Sequence, residues 1–401
     1  MAHLLLFVFS PIAALFVAIK NILRNNKFIY IIGAFCSLFA AYLPPTSDAY
    51  RYRYLYYNSI NYEFTLHNLW KTEYDFLFPL LSSIFAPLGF SFEFFRFILI
   101  LSCYSLLCWV FLDVVSKNKH LKENKKWLSL AILALFLSIR FYTLAAGIRF
   151  GVASSFAIVS IYLITEKEYI KGISLFAFAA FMHVSILMLI PFLILAWGAL
   201  HLKLSAVGRL AIIITCLLLA QTAIGDLLEL FLYDNEMVMR KKGGYIDGDW
   251  GTEAMLENSS VGGLLFTFIR IIPIIPLSWF VLRNKNYSLL KEICFLITIL
   301  LCISISSFTL LLRYSNIGIG LYLFAFLQCV GTIKQTQKKM RTIIVSLFLM
   351  FTCYIYSQRA ILTKPLLHYK VITSPLLLID TPSYSDEWVM MNINFDGELK
   401  K

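Results

Sequence analysis

Charge is what this sequence has least of. Asp, Glu, Lys and Arg make up 14% of its 401 residues, against roughly a quarter in a soluble domain. Hydrophobic residues make up 60%, and apolar runs of bilayer-spanning length recur along the whole chain. That excludes a soluble domain carrying one anchor. Cysteine is absent from every polar loop: Cys36, Cys103, Cys108, Cys216, Cys294, Cys302, Cys329 and Cys353 all sit in apolar segments, and no CxxC pair occurs. The pattern excludes a disulfide framework and a zinc site and leaves small apolar packing residues. There is no fixed-period repeat and no low-complexity tract. The first apolar run, 3–19, lacks a basic stretch before it and a small-residue cleavage site after it, so it reads as a span rather than a removable signal.

The net charge is +12. In a soluble chain that would point to nucleic acid. Here the cations crowd short loops between apolar runs, which is the orientation signal of a membrane protein, and nucleic acid drops out as a partner. The hydropathy pattern predicts an all-α, polytopic integral membrane protein, one membrane domain over 1–401 with about eleven or twelve transmembrane helices. The expected spans are 4–19, 28–43, 94–114, 127–143, 148–164, 172–198, 206–223, 261–282, 292–312, 315–331 and 342–357. A shorter stretch, 76–90, is broken by Pro79, Pro87 and Gly89 and reads as a re-entrant or interfacial segment.

Basic loops at 20–27, 116–126, after 282 and at 332–341 are expected in the cytoplasm. Loops 44–75 and 224–260 and the tail 358–401, read as an irregular surface segment, are then expected in the periplasm. Parity sharpens this. An odd number of crossings must separate 165–171, inside, from 224–260, outside, yet 172–198 and 206–223 look like two. The first of these is long for one upright helix, and its middle holds Met182-His183-Val184-Ser185. A break near His183 restores the count.

Several arginines defy these rules: Arg51, Arg53, Arg140, Arg149, Arg240, Arg270 and Arg313. A cation inside a span, or on the outer side, is costly unless a partner or a wet cavity receives it. Arg140 and Arg149 bracket an outer turn. Arg149 opens a helix followed by the small residues Gly151, Ala153, Ser154 and Ser155, which let helices approach closely, and a helix N-terminus attracts anions. Arg270 lies about 13 Å into its span at 1.5 Å per residue, and Arg313 sits at the outer end of another. Each is open to lipid snorkelling or a buried ion pair. Several on one side point instead to a shared anionic ligand, because guanidinium forks suit phosphate oxygens.

Asp48, Tyr50 and Arg51 belong to a segment with one carboxylate, two arginines and five tyrosines at the mouth of a span. It reads either as an aromatic belt with an Asp–Arg pair or as a surface for sugar rings with Asp48 as hydroxyl-orienting base. His183 reads as a satisfied structural histidine or as a cavity-lining group at the helix break. The loop 240–251 mixes cations, glycines, Asp247, Asp249, Tyr245 and Trp250, a solvated loop or a second sugar-stacking surface. Asp247 and Asp249 have the spacing of a DxD metal motif, but the soluble nucleotide-binding domain that such enzymes use is absent, so no metal and no cofactor is assigned. Asn316-Ile317-Gly318-Ile319-Gly320 lacks the third glycine and the strand of a dinucleotide loop.

Together these segments resemble the bacterial polysaccharide polymerases, the O-antigen polymerase (Wzy) group and the similar EpsG-type exopolysaccharide polymerases. The resemblance runs from about residue 40 to 330 as weak motifs in order. They are Ser47-Asp48-Ala49-Tyr50-Arg51-Tyr52; Glu73-Tyr74-Asp75-Phe76-Leu77-Phe78-Pro79-Leu80-Leu81; Gly147-Ile148-Arg149-Phe150-Gly151-Val152-Ala153; Phe181-Met182-His183-Val184-Ser185; and Arg313-Tyr314. The resemblance implies a GT-C-like membrane fold in the bacterial inner membrane and metal-independent glycosyl transfer between oligosaccharide units carried on undecaprenyl diphosphate. A chain-length regulator and a flippase are the implied protein partners, with the lipid bilayer as the medium. On this reading Arg149, Arg270, Arg313 and Arg140 receive the diphosphate, Asp48 or His183 serves the acceptor hydroxyl, and Tyr50, Arg51, Tyr245 and Trp250 hold sugar. A lipid-linked oligosaccharide flippase, an O-antigen ligase and a membrane acyltransferase with His183 as base are the competing readings. A flippase would be expected to show a two-halves pseudo-repeat, and none is visible.

Overall fold

The structure, a computed structural model, describes residues 2–59, 75–202, 204–219, 260–284, 288–331, 336–373, 376 and 384–400. Arg240, Tyr245, Asp247, Asp249 and Trp250, and residues 60–74 of the first long loop, lie outside them. In chain order the helices are α1 Ala2–Phe9, α2 Pro11–Asn21, α3 Ile29–Ala41, α4 Asp48–Asn58, α5 Leu77–Phe85, α6 Phe92–Lys117, α7 Lys119–Glu123, α8 Lys125–Ser138, α9 Phe141–Ala146, α10 Ile148–Thr165 and α11 Tyr169–Met182. They continue with α12 Leu189–Leu202, α13 Ala206–Leu219, α14 Val261–Ile271, α15 Ile274–Leu282, α16 Leu289–Ile303, α17 Phe308–Gln328, α18 Thr336–Ser357, α19 Arg359–Leu362, α20 Pro365–Thr373 and α21 Asp386–Asn392. Among the described residues the one extended pairing is an antiparallel bridge between Ile393 and Leu399.

The protein is an all-α polytopic membrane protein. Six described segments are long and apolar enough to cross a bilayer: Phe92–Lys117, Ile148–Thr165, Val184–Leu202, Leu265–Leu282, Thr309–Gln328 and Gln337–Ser357. Four shorter apolar helices accompany them. The break expected within 172–198 falls at His183: α11 ends at Met182, a 3-10 turn runs Val184–Met188, and α12 follows.

Several boundaries differ from the hydropathy reading. The first run is two helices hinged at Ser10, because Pro11 lacks the N–H that would continue α1. The span expected over 261–282 is likewise split into α14 and α15 at Pro273. Arg140 does not end a long span; it precedes the six-residue α9. Arg313 lies in the second turn of α17, not at the end of the preceding helix, because the Ser307 side chain caps Leu310 N–H at 3.4 Å and starts the helix earlier. Residues 48–58 are helical rather than loop, and the tail is ordered around α21 rather than irregular.

The chain divides into two compact units, each discontinuous in sequence. The first comprises Met1–Lys117, Arg140–Leu187 and Tyr354–Lys401. Its axis is α10, buried along most of its length and packed on α11 and α6. Small residues allow this. Ser160 Oγ donates to Gly172 O at 2.7 Å across the α10–α11 contact, and a Cβ on Gly151 would lie 2.7 Å from Thr143 O and 2.9 Å from Leu144 Cα of α9. Gly151→Ala therefore forces α9 and α10 apart. Overpacking of this kind costs about 1–3 kcal/mol. The expected result is a lowered melting temperature of the purified protein in detergent; an unchanged one would show that the α9 backbone yields freely.

The tail is strapped onto α4. Arg53 Nη1 donates to Asp386 at 2.6 Å and Nη2 to Tyr384 O at 3.2 Å, so this rule-breaking arginine is a structural tether. Tyr50 packs against the small core of Tyr384, Val389 and Ile393. Ser47 takes a left-handed φ of 56° and its N–H donates to Gly397 O at 2.6 Å. Gly397 itself has φ 81°, and a Cβ there would sit 2.5 Å from Ser47 O. Buried Arg96 of α6 donates to the carbonyls of Ala41 and Leu43, closing the end of α3 ahead of Pro44-Pro45. At the other end of this unit Lys117 pairs with Glu166 at 2.6 Å, which sets the α10–α11 turn level with the end of α6.

The second unit comprises Asn118–Ile139 and Met188–Cys353. Its centre is α16, packed against α17, α12 and α13. Arg209 of α13 and Glu292 of α16 form a buried two-point ion pair at 2.7 and 2.5 Å. Removing one partner of such a pair strands a buried charge, at about 3–5 kcal/mol. The pair also sets the α12–α13 connection level with the basic loop before α16. The sequence hid it, since each residue sits beside a loop and reads as an ordinary helix-end charge.

Candidate functional site

The first unit gathers polar groups from four separate segments. The first is the start of α4. Asp48 occupies its first position, half-buried, and among the described residues no cation lies within 4 Å of its carboxylate. Tyr52, buried and one turn on, shares its face of the helix. Just ahead, Thr46 Oγ1 lies 3.2 Å from the Tyr142 hydroxyl of α9.

The second and third segments meet at a carboxylate. Asp75, which is buried, lies immediately before α5. One oxygen is 3.5 Å from Arg149 Nη1. The other accepts from Val184 N–H at 2.7 Å. Asp75 therefore ties the first turn of α10 to the break after α11. Arg149 lies over the Tyr52 ring, 4.8 Å from its centre, and its side chain keeps 21% exposure. The guanidinium is thus braced on two sides at a helix N-terminus, where backbone N–H groups add to its positive field.

The fourth segment is the break itself. His183 is buried, with its ring edge-on to Phe150 at 5.4 Å. Its Nδ1 accepts from Ser185 N–H at 3.2 Å and lies 2.8 Å from Ser185 Oγ. An Nδ1 that accepts a backbone N–H carries no proton, so the neutral ring holds its proton on Nε2.

Of the residues singled out from sequence, the structure ties Arg149 through Asp75 to the Val184 N–H beside His183, and sets Asp48 one turn from the ring that braces Arg149. Tyr50 packs against the tail core, and Arg51 is exposed. Arg140 is buried, with its guanidinium 5.2 Å from the Tyr354 ring centre. Arg270 and Arg313 belong to the second unit. Arg270 lies over Phe266 at 4.6 Å, in the last turn of α14 before the Pro273 break. Tyr245 and Trp250 lie outside the described residues. Asp75 belongs to the 73–81 motif of the sequence but has no site role in that reading. Its signal was there: a carboxylate at the end of a polar loop, directly before an apolar helix, needs a partner as it enters the protein.

The EpsG family model matches residues 26–371. No curated protein and no solved structure matches the chain.

Proposed function

The chain belongs to the EpsG family, and from that premise we propose that it is a polysaccharide polymerase. It is proposed to act at the periplasmic face of the bacterial inner membrane as a GT-C-like glycosyltransferase. Its substrates would be oligosaccharide repeat units on undecaprenyl diphosphate, and its product an O-antigen or exopolysaccharide chain. The observation that carries this reading is the Asp75-braced Arg149 at the start of α10, with the Val184 N–H, next to His183 at the helix break, held by the same carboxylate. A fixed guanidinium at a helix N-terminus suits a phosphate oxygen.

In the proposed reaction an acceptor hydroxyl of the new unit attacks the anomeric carbon of the growing chain. The bond from that carbon to the diphosphate breaks, and the lipid diphosphate leaves with the electron pair. Arg149 stabilises the charge that develops on the leaving group, which is what a divalent cation does in metal-dependent transferases. His183 Nε2–H donates to an oxygen of the sugar or diphosphate. Asp75 has both oxygens engaged and is a positioning residue. Asp48, free of ion pairing among the described residues, takes the hydroxyl proton. Arg270 and Arg313 keep their reading as anion-binding arginines of the second unit.

Deletion of the gene tests the class of function. A polymerase leaves surface glycan with one repeat unit and no ladder. Loss of every unit would support a flippase or an earlier step, and an intact ladder made on the lipid carrier but not transferred would support a ligase.

A further inference from the structure

The second unit holds a large groove lined by its own helices. It has a volume of about 1810 Å³, beyond the roughly 300–1,000 Å³ of ordinary small-molecule pockets. Helices α13, α14, α15 and α18 form its walls. Leu210, Ile213, Phe268, Ile272, Val345 and Leu349 make it apolar along its length. Its mouth is cationic: Arg283, Lys338 and Arg341 line it. Lys126 adds a fourth cation, since the Gln337 side-chain oxygen, in the orientation that satisfies both, accepts from Arg341 at 3.1 Å and from Lys126 at 3.3 Å. Among the described residues none of the four has a carboxylate partner. Arg283 is held over the ring of Trp279 at 4.6 Å, and tryptophan marks the headgroup level of a bilayer. From Lys338 to Leu349 along α18 the wall runs roughly 16–17 Å at 1.5 Å per residue, about half a bilayer core.

We propose that this groove is a binding site for an anionic diacyl phospholipid of the leaflet that faces the basic loops. The phosphate sits on Arg283, Lys338 and Arg341, and the acyl chains run along α18 toward Leu349. Cations that line one groove repel one another unless an anion joins them, and basic pockets between membrane helices on the basic-loop side select anionic headgroups. A zwitterionic lipid offers the same chains without net charge, so selection rests on the mouth. The inference is independent of the glycosyl-transfer reading.

The test is lipid titration of the purified full-length protein in detergent, read by native mass spectrometry, with dioleoylphosphatidylglycerol against dioleoylphosphatidylcholine. The wild type is expected to retain the anionic lipid selectively. The triple variant R283Q/K338Q/R341Q should bind it roughly 100-fold more weakly, from about 1 kcal/mol for each cation near the headgroup. The variant K20Q/R24Q/K27Q, which removes three cations outside the groove, should bind like the wild type. Val345→Trp, which obstructs the path of the acyl chains along α18 and leaves the charge intact, should weaken lipid binding too. Equal retention of both lipids by the wild type, or equal losses in the two triple variants, would overturn the site. So would undiminished binding by Val345→Trp.

Discussion

Arg149→Lys is expected to lose polymerisation by roughly 100-fold or more, the usual cost of removing one preorganised donor to developing charge, with a melting temperature close to wild type. Lysine keeps the positive charge beside Asp75, so the buried carboxylate is not stranded and the fold survives. It loses the planar fork and the flat face that lies on Tyr52. An ammonium that reaches Asp75 has no second, divergent N–H edge for a phosphate oxygen. Asp75→Asn separates positioning from contact. It removes the charge that braces Arg149 but leaves an oxygen to accept from Val184 N–H, so activity should fall and Arg149→Lys should add little further loss in the double variant. Assays of purified variants with lipid-linked repeat units, with thermal unfolding in parallel, read both. Wild-type activity in Arg149→Lys would return this arginine to a structural role.

Asp48→Asn should cost between about 10²- and 10⁴-fold in rate, the span typical of general-base loss. An amide of nearly the same shape cannot take the hydroxyl proton. The structural cost is small. Asp48 opens α4 without an ion pair among the described residues, and a carboxylate at that position contributes about 0.3–1 kcal/mol through the helix dipole. A drop in rate at near-normal stability therefore separates chemistry from folding. His183→Gln is the companion variant, since glutamine offers a donor and an acceptor at similar reach. With His183 as donor it should retain part of the activity, whereas His183→Ala should not. Full activity in Asp48→Asn would remove Asp48 from the reaction.

What was legible in the sequence divides along physical lines. Hydropathy, loop charge and parity together marked the membrane class and the interruption at His183, because each reports a free energy set locally by the bilayer. Helix ends were less legible. Pro11 and Pro273 broke runs that stay apolar throughout, and Ser307 started α17 ahead of where hydropathy recovers. The motif around Arg149 was visible because an arginine at a helix start beside small residues is unusual. That Asp75 of the 73–81 motif is its partner was not, because that pairing depends on tertiary placement of 75 against 149 and 184. The same holds for the Arg209–Glu292 pair and for Arg53, whose partner Asp386 is far away in the tail. Tyr50 shows an ambiguity of another kind: aromatic character at a membrane mouth fits a sugar surface and a packing surface equally, and the structure adds that it packs against Tyr384, Val389 and Ile393.

The most direct measurement is polymerisation by the purified protein alone. Proteoliposomes would receive synthetic repeat units on undecaprenyl diphosphate, with a metal chelator present. The account predicts products lengthening by whole repeat units, one free undecaprenyl diphosphate released per new linkage, and neither in the Arg149→Lys protein. Units that cross the bilayer without lengthening, or lengthening that the chelator abolishes and Arg149→Lys leaves intact, would contradict it.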